Sequence, residues 1–306
     1  MILQKTFTQR LWQQRVLVLM SVPLLIHLFI FKYMPLWGWS MAFQEYVPGK
    51  SFLHQKWVGL EQFKRIFTDE LFYQVLRNTL AMSAINITFS FITAIGLAIL
   101  LNEVRVTWFK RTVQTISYLP YFISWVVAAN IIMVMLSSDN GIVNILLLKL
   151  GVIDSSQMWL GKPDLFWWII GIANVWKNVG WNAIIYLAAI SAIEPHLYES
   201  ADIDGANRLQ KIRHITLPGI KPTIVILLIM SIGHVMQAGF EQQYLLGNSL
   251  VKDKSMVFDI FVLEYGIRLS RYSFAAAAGI FNSVVSIAML LMANYIAGKM
   301  GEERII

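Results

Sequence analysis

Three asparagines recur at four-residue intervals within one apolar stretch, Asn174, Asn178 and Asn182, and the adjacent row carries Lys177 and Trp181, again four apart. Residues four apart lie one above the other on a helix, so one face would be polar and aromatic for two turns. Amides and an indole ring match the alternating hydroxyl and C–H faces of a carbohydrate, whereas an inorganic ion calls for rings of carbonyls or carboxylates. Counted from Phe166, Lys177 lies roughly 16 Å along such a helix, near the middle of a bilayer. An ammonium at that depth must face water, a carbonyl cluster or a carboxylate. An acidic sugar, Glu241 and a neighbouring subunit are three candidates for its counter-charge.

Weaker polar sets occur in other apolar stretches: Ser83, Asn86 and Ser90; Asn130; Ser231, His234, Gln237 and Glu241; Asn282, Ser283 and Ser286. Two readings fit them, a hydrated cavity opening outward or hydrogen bonds between packed helices. Chemistry of other kinds finds little material. The chain has no cysteine, which removes disulfides, thiolate metal sites and thiol nucleophiles. His27, His54, His196, His214 and His234 are scattered without metal-ligand spacing. No glycine-rich loop ends in Gly-Lys-Ser or Gly-Lys-Thr, so ATP cannot be held here in that way.

The elements that position these residues are membrane helices. At 57% hydrophobic and 14% charged, the 306 residues are too apolar for an ordinary globular surface. A net charge of +7 is dispersed between the apolar stretches, which favours anionic lipid over nucleic acid. About 20 apolar residues cross a bilayer. Six stretches qualify, at about 15–37, 75–101, 112–136, 166–193, 219–240 and 274–297, an all-α polytopic arrangement. Lys5, Arg10 and Arg15 precede the first, which mimics a signal peptide, but its length and the lack of a small-residue cleavage site predict a retained helix.

With the N-terminus inside, the inner segments hold 12 Lys and Arg in 63 residues and the outer ones 10 in 100. The density favours cytoplasmic N- and C-termini, and most polar positions then lie from the midplane outward. The first outer loop predicts a short amphipathic helix around residues 57–67. The second ends in an aromatic belt at Trp167 and Trp168, and the third covers about 241–273.

A charged island separates the fourth and fifth stretches. Glu194-Pro195 halts the fourth helix, His196 to Ala206 reads as a short surface helix, and Asp204-Gly205 as a turn. A second short helix runs from Asn207 to Arg213, and Pro218-Gly219 and Pro222 end the segment. A helix-turn-helix of this kind suits a groove in a soluble partner.

The pattern Glu199-x-Ala201-x-x-Asp204-Gly205-Ala206, followed by Ile215-x-Leu217-Pro218, resembles the EAA signature of binding-protein-dependent ABC importer permeases, with Ser200 where alanine is usual. Asn174 to Lys177, Ile184 to Ile190 and Ala275 to Asn282 are similar to the LplB-like polysaccharide and oligosaccharide permeases of the carbohydrate-uptake branch. The resemblance covers most of the chain from about residue 15. It implies a type I importer permease: a cytoplasmic N-terminal segment over 1–14, a six-helix transmembrane permease domain over 15–306 in the cell membrane, and a cytoplasmic coupling loop over 194–218. It further implies a second homologous permease subunit, two cytoplasmic ATP-binding subunits that hold the ATP and Mg and hydrolyse the ATP, and an extracellular solute-binding protein delivering the sugar. This chain would itself bind no cofactor or metal and catalyse nothing. Glu199, Ala201, Asp202, Asp204, Gly205 and Ala206 would meet the ATPase, with Leu217 and Pro218 fixing the exit into helix five. The competing expectation is an ion-coupled secondary transporter relaying protons through Lys177, His234 and Glu241, and against it the chain shows no internal repeat.

Overall fold

A computed structural model describes residues 12–301; Lys5, Arg10 and most of the expected 1–14 segment lie outside the described residues, as do residues 302–306. The chain divides into two units, residues 1–68 with 265–280 and residues 69–264 with 281–306.

In the first unit, α1 (Arg15–Leu28) continues through a π turn at Phe29–Tyr33 and a 3-10 stretch at Met34–Phe43. The continuous element is 29 residues long and its apolar window has no buried residue, which is what a lipid-solvated helix requires. Beyond it, β1 (Gln44–Glu45) pairs antiparallel with β2 (Lys56–Trp57), and Phe43 stacks on Trp57 at 5.9 Å. The amphipathic helix expected around residues 57–67 is α2 (Glu61–Thr68), with Gln62 and Ile66 buried.

The second unit is built on α3 (Glu70–Glu103), capped by the Asp69 carboxylate, which accepts from Leu71 N at 2.9 Å, and on α7 (Pro163–Ser191). These two pack more extensively than any other pair of elements. Small residues make this possible: Ala94, Ala98 and Ala183 are buried with Tyr186, Ile190 and Ile220 in one apolar cluster. A Cβ on Gly171 would stand 2.8 Å from Ile85 Cγ2.

Helix three departs from the expected single span over 112–136. It consists of α4 (Thr107–Tyr118), a 3-10 turn at Leu119–Phe122 and α5 (Trp125–Met135), and the chain bends by 105° at the break. Pro120 sits in the turn and has no N–H to continue the ladder. Ser124 restarts the helix, its Oγ accepting from Val127 N at 3.3 Å. Between α5, α6 (Ile142–Lys149) and α7 lies a cavity of about 350 Å³ lined by apolar residues, among them Ile131, Met135, Val143, Ile172 and Trp176.

Helix five also differs from expectation. It begins at residue 208, as α9 (Arg208–Lys211), passes through a π turn at Ile212–Thr216 and continues as α10 (Leu217–Gly233). Neither Pro218 nor Pro222 ends the segment: Pro218 directly follows the π turn and Pro222 lies one turn further on, both within the helix that continues from 208 to 233. The helix stops at Gly233, short of the expected 240, so His234 and Gln237 lie in the loop beyond it. That loop turns at Gly239 (φ 86°) into α11 (Phe240–Leu246), then α12 (Lys252–Ser255) and α13 (Phe258–Leu263). Helix six, α14 (Tyr272–Lys299), is continuous.

Among the described residues, four helices are long and apolar enough to cross a membrane, or five with the bent pair. The expected fourth span, α7, is not one of them although its 29 residues reach about 43 Å. Its asparagines, Lys177 and tryptophans lower its hydropathy, and those are the residues that mark it as a site.

Candidate functional site

Lys177 is buried, and its Nζ donates to the Tyr121 carbonyl at 2.9 Å and, more weakly, to that of Pro120 at 3.4 Å. The carbonyl cluster therefore holds the ammonium. The rings of Tyr121 and Trp125 flank it, each centroid 5.5 Å away. One turn on, Trp181 lies flat against Tyr121 (4.5 Å between centroids, 5° between planes) and edge-on to Phe122 at 6.2 Å. Trp181 and Phe122 are 39% and 71% exposed, so the stacked rings present an open aromatic surface. Gly180 lets the break approach: a Cβ there would stand 2.1 Å from the Ser117 carbonyl oxygen.

The three asparagines do not share one task. Asn178 Nδ2 donates to Asn174 Oδ1 at 2.7 Å and to its carbonyl at 3.1 Å, which ties this half-buried pair together beside Trp181. Asn182 Nδ2 instead donates to Ser90 Oγ on α3 at 2.9 Å, a bond between helices. Asn130 is exposed on α5 and bonds the Val126 carbonyl of its own helix. His234 and Gln237 are exposed in the loop after α10, His234 Nδ1 lying 2.8 Å from the Met230 carbonyl oxygen. Asn282 accepts from Ser286 Oγ at 3.4 Å within α14. Asn86 is half-buried, and its Oδ1 has no hydrogen-bond partner among the described residues.

The polar row of helix two largely serves packing. Gln74 and Asn78 both donate to the Asp253 carbonyl, at 2.7 and 2.8 Å, and Asn78 also to that of Met256 at 3.0 Å. Thr79 Oγ1 accepts from Phe258 N at 2.9 Å, and Ser83 Oγ donates to the Val235 carbonyl. Trp167 Nε1 adds a bond to the Lys254 carbonyl at 3.0 Å. Together these side chains fasten the segment that follows helix five through its backbone. Ser83, expected in a cavity or an interhelical bond, belongs to this latch.

On the loop between helices four and five, α8 (Pro195–Ile203) ends in a Schellman arrangement. Ala206 N donates to the Ala201 carbonyl at 2.9 Å, Gly205 N to that of Asp202 at 3.2 Å, and Gly205 takes φ 75°. Asn207 immediately opens α9 with a capping box, its Oδ1 accepting from Gln210 N while Gln210 Oε1 accepts from Asn207 N. The two caps leave the turn no slack. Lys211 pairs with Asp202 across it, and Tyr198 shares a 2.9 Å hydrogen bond with buried Thr216 at the base of helix five. Glu199 is exposed beside His196 Nδ1 at 3.0 Å, while Asp204 and Ala206 line a 320 Å³ concavity between the limbs. Leu217 and Pro218 start α10 directly above. Ile203 and Leu209, 87% and 73% exposed, stand on the turn and its second limb.

Sequence reasoning missed the aromatic partners at the break and these two apolar residues. Pro120 followed by Tyr121-Phe122 was the available signal for the first. For the second there was none, since an isolated leucine or isoleucine reads as buried until its surroundings are known.

Residues 92–302 match the family of binding-protein-dependent transport system inner membrane components. This chain belongs to that family. The permease is 41% identical over 302 residues to the polygalacturonan/rhamnogalacturonan transport system permease protein YteP of Bacillus subtilis, covering 99% of this chain and 94% of that protein. It is 40% identical to Protein LplB of the same organism, over 94% and 90% of the two chains. Among solved structures it superposes on a chain of a bacterial alginate ABC transporter in complex with an alginate pentasaccharide-bound periplasmic protein. That match has a TM-score of 0.90 and 36% identity, and it covers 98% of this permease and all of that chain. The fold is accordingly that of an ABC importer permease, and the protein is a multi-pass membrane protein. The relay expected of an ion-coupled transporter finds no support, since Lys177 is engaged by carbonyls and His234 stands outside the helix.

Proposed function

We propose that this permease conducts an oligosaccharide, released from a polysaccharide and delivered by an extracellular solute-binding protein, under the drive of ATP hydrolysed in partner subunits. The observation that carries the coupling half is the doubly capped turn at 204–207, which presents Ile203, Leu209 and Glu199 on a rigid lever continuous with helix five. Such a lever inserts into a groove and moves its helix when the groove moves. Glu199, Ala201, Asp202, Asp204, Gly205 and Ala206 form the docking element, and Leu217 and Pro218 carry the motion into α10. Two cytoplasmic ATPase subunits hold ATP and Mg, and this chain holds neither. A second homologous permease completes the pathway, and both termini of this chain are cytoplasmic, in keeping with the density of Lys and Arg.

The substrate half rests on the open Tyr121–Trp181 stack beside the Asn174–Asn178 amides. An aromatic face with adjacent amides suits a sugar ring, and Asn130, His234, Gln237, Asn86, Asn182 and Asn282 are further pathway positions. The names of the relatives, which concern polygalacturonan, rhamnogalacturonan and alginate, support a carbohydrate of that kind. Deleting Asp204-Gly205 tests the reading: ATPase co-purification and ATP-driven uptake should both be lost.

A further inference from the structure

Three positions on one side of α7 grip the break in helix three. Lys177 bonds the Tyr121 and Pro120 carbonyls, Gly180 admits the Ser117 carbonyl, and Trp181 stacks on Tyr121. Their spacing of i, i+3 and i+4 places them on adjacent turns. The break needs such a grip because the Pro120 and Tyr121 carbonyls have lost their helical partners: the chain is extended at Ile123 and Ser124, and the next helix starts only at Trp125.

An ammonium suits that position for two reasons. It has three donors for the freed carbonyls, and the C-terminal end of α4 is the negative end of its dipole. At 5% exposure, with two carbonyls as acceptors and two aromatic rings against it, Lys177 has little left to offer a passing carboxylate.

We infer that Lys177 is a positioning residue: it holds the 105° break of helix three, and through it the Tyr121–Trp181 surface, and it does not read the charge of the transported sugar. The inference rests on the proposed sugar pathway only for its consequence in transport; the bend itself is measurable without a substrate.

The chain has no cysteine, so Thr112→Cys on α4 and Val134→Cys on α5 give one spin-labelled pair, both sites exposed. Distances are measured in the assembled complex in lipid nanodiscs, with uptake assayed for an anionic oligogalacturonate and a neutral oligosaccharide. Lys177→Met should broaden and shift the distance distribution and reduce uptake of whichever sugars are carried by at least about tenfold, in parallel, because charge-assisted bonds are lost. Lys177→Arg, which keeps the donors, should restore both. An unchanged distance distribution in Lys177→Met, or loss of anionic uptake alone, overturns the inference. If that variant does not assemble, Lys177→Gln, with a shorter donor, is read by the same criteria. Absence of sugar uptake by the unmutated complex would count against the proposed function, while the distances would still decide the role of Lys177.

Discussion

Replacing Asn78 by alanine should loosen the segment around residues 247–257 more than any exposed substitution there. Asn78 is fully buried, and its amide donates to two backbone carbonyls 175 and 178 residues away, those of Asp253 and Met256. Alanine would strand the Met256 carbonyl, leave that of Asp253 to Gln74 alone and open a small void. With a buried unsatisfied group costing about 1–3 kcal/mol, the loss is of that size. Gln74→Ala provides the internal control, since it removes one 2.7 Å bond to the same Asp253 carbonyl at a more exposed site. Water can replace that bond, so the cost should stay below about 1 kcal/mol. Polytopic proteins commonly unfold irreversibly, so the assay is the apparent melting midpoint at fixed scan rate together with the rate of proteolysis between residues 247 and 257. A drop on the order of 2–10 °C is expected for Asn78→Ala, with cleavage accelerated at that segment first. Equal, small shifts for the two variants would show that the loop is not held by this latch.

Two further outcomes follow from the same structure. Gly205→Val places a β-branched residue at φ 75° in open space, so strain and not collision is expected, costing about 1–2 kcal/mol locally; ATPase affinity should fall while the midpoint of the isolated chain barely moves. Burial of Asp259 in the third loop pushes its carboxyl above the usual carboxylate range, so the protonated form is favoured by the fold. Its stabilising contribution is present below the ordinary carboxylate pKa and is lost as pH rises through the raised value. Asp259→Asn should therefore raise stability at neutral pH and flatten the melting midpoint's dependence on pH above about 4.

The features legible in the sequence are those set by local chemistry. Apolar length marks membrane helices, and Asp204-Gly205-Ala206-Asn207 spells a helix end followed by a helix start, because each residue there is chosen for its own backbone conformation. What stayed hidden depends on neighbours distant in the chain. Lys177 had three conceivable partners by sequence, and only the bent path of helix three brings Tyr121 O to it. Asn182 and Ser83 had the same appearance as Asn174, yet one bonds α3 and the other the Val235 carbonyl where helix five has ended. Pro218 and Pro120 show the limit from the other side: one lies within a helix that continues past it and the other in a break.

The central claim is that the 194–218 loop transmits ATP-driven motion to this chain. Its most direct test is ATP-dependent uptake of a labelled oligosaccharide into proteoliposomes holding the whole complex, with and without the Asp204-Gly205 deletion and with and without a proton gradient. The account predicts uptake that needs ATP, survives collapse of the gradient, and disappears with the deletion as the ATPase subunits dissociate. Full assembly and uptake in the deletion variant, or uptake driven by the gradient without ATP, would contradict it.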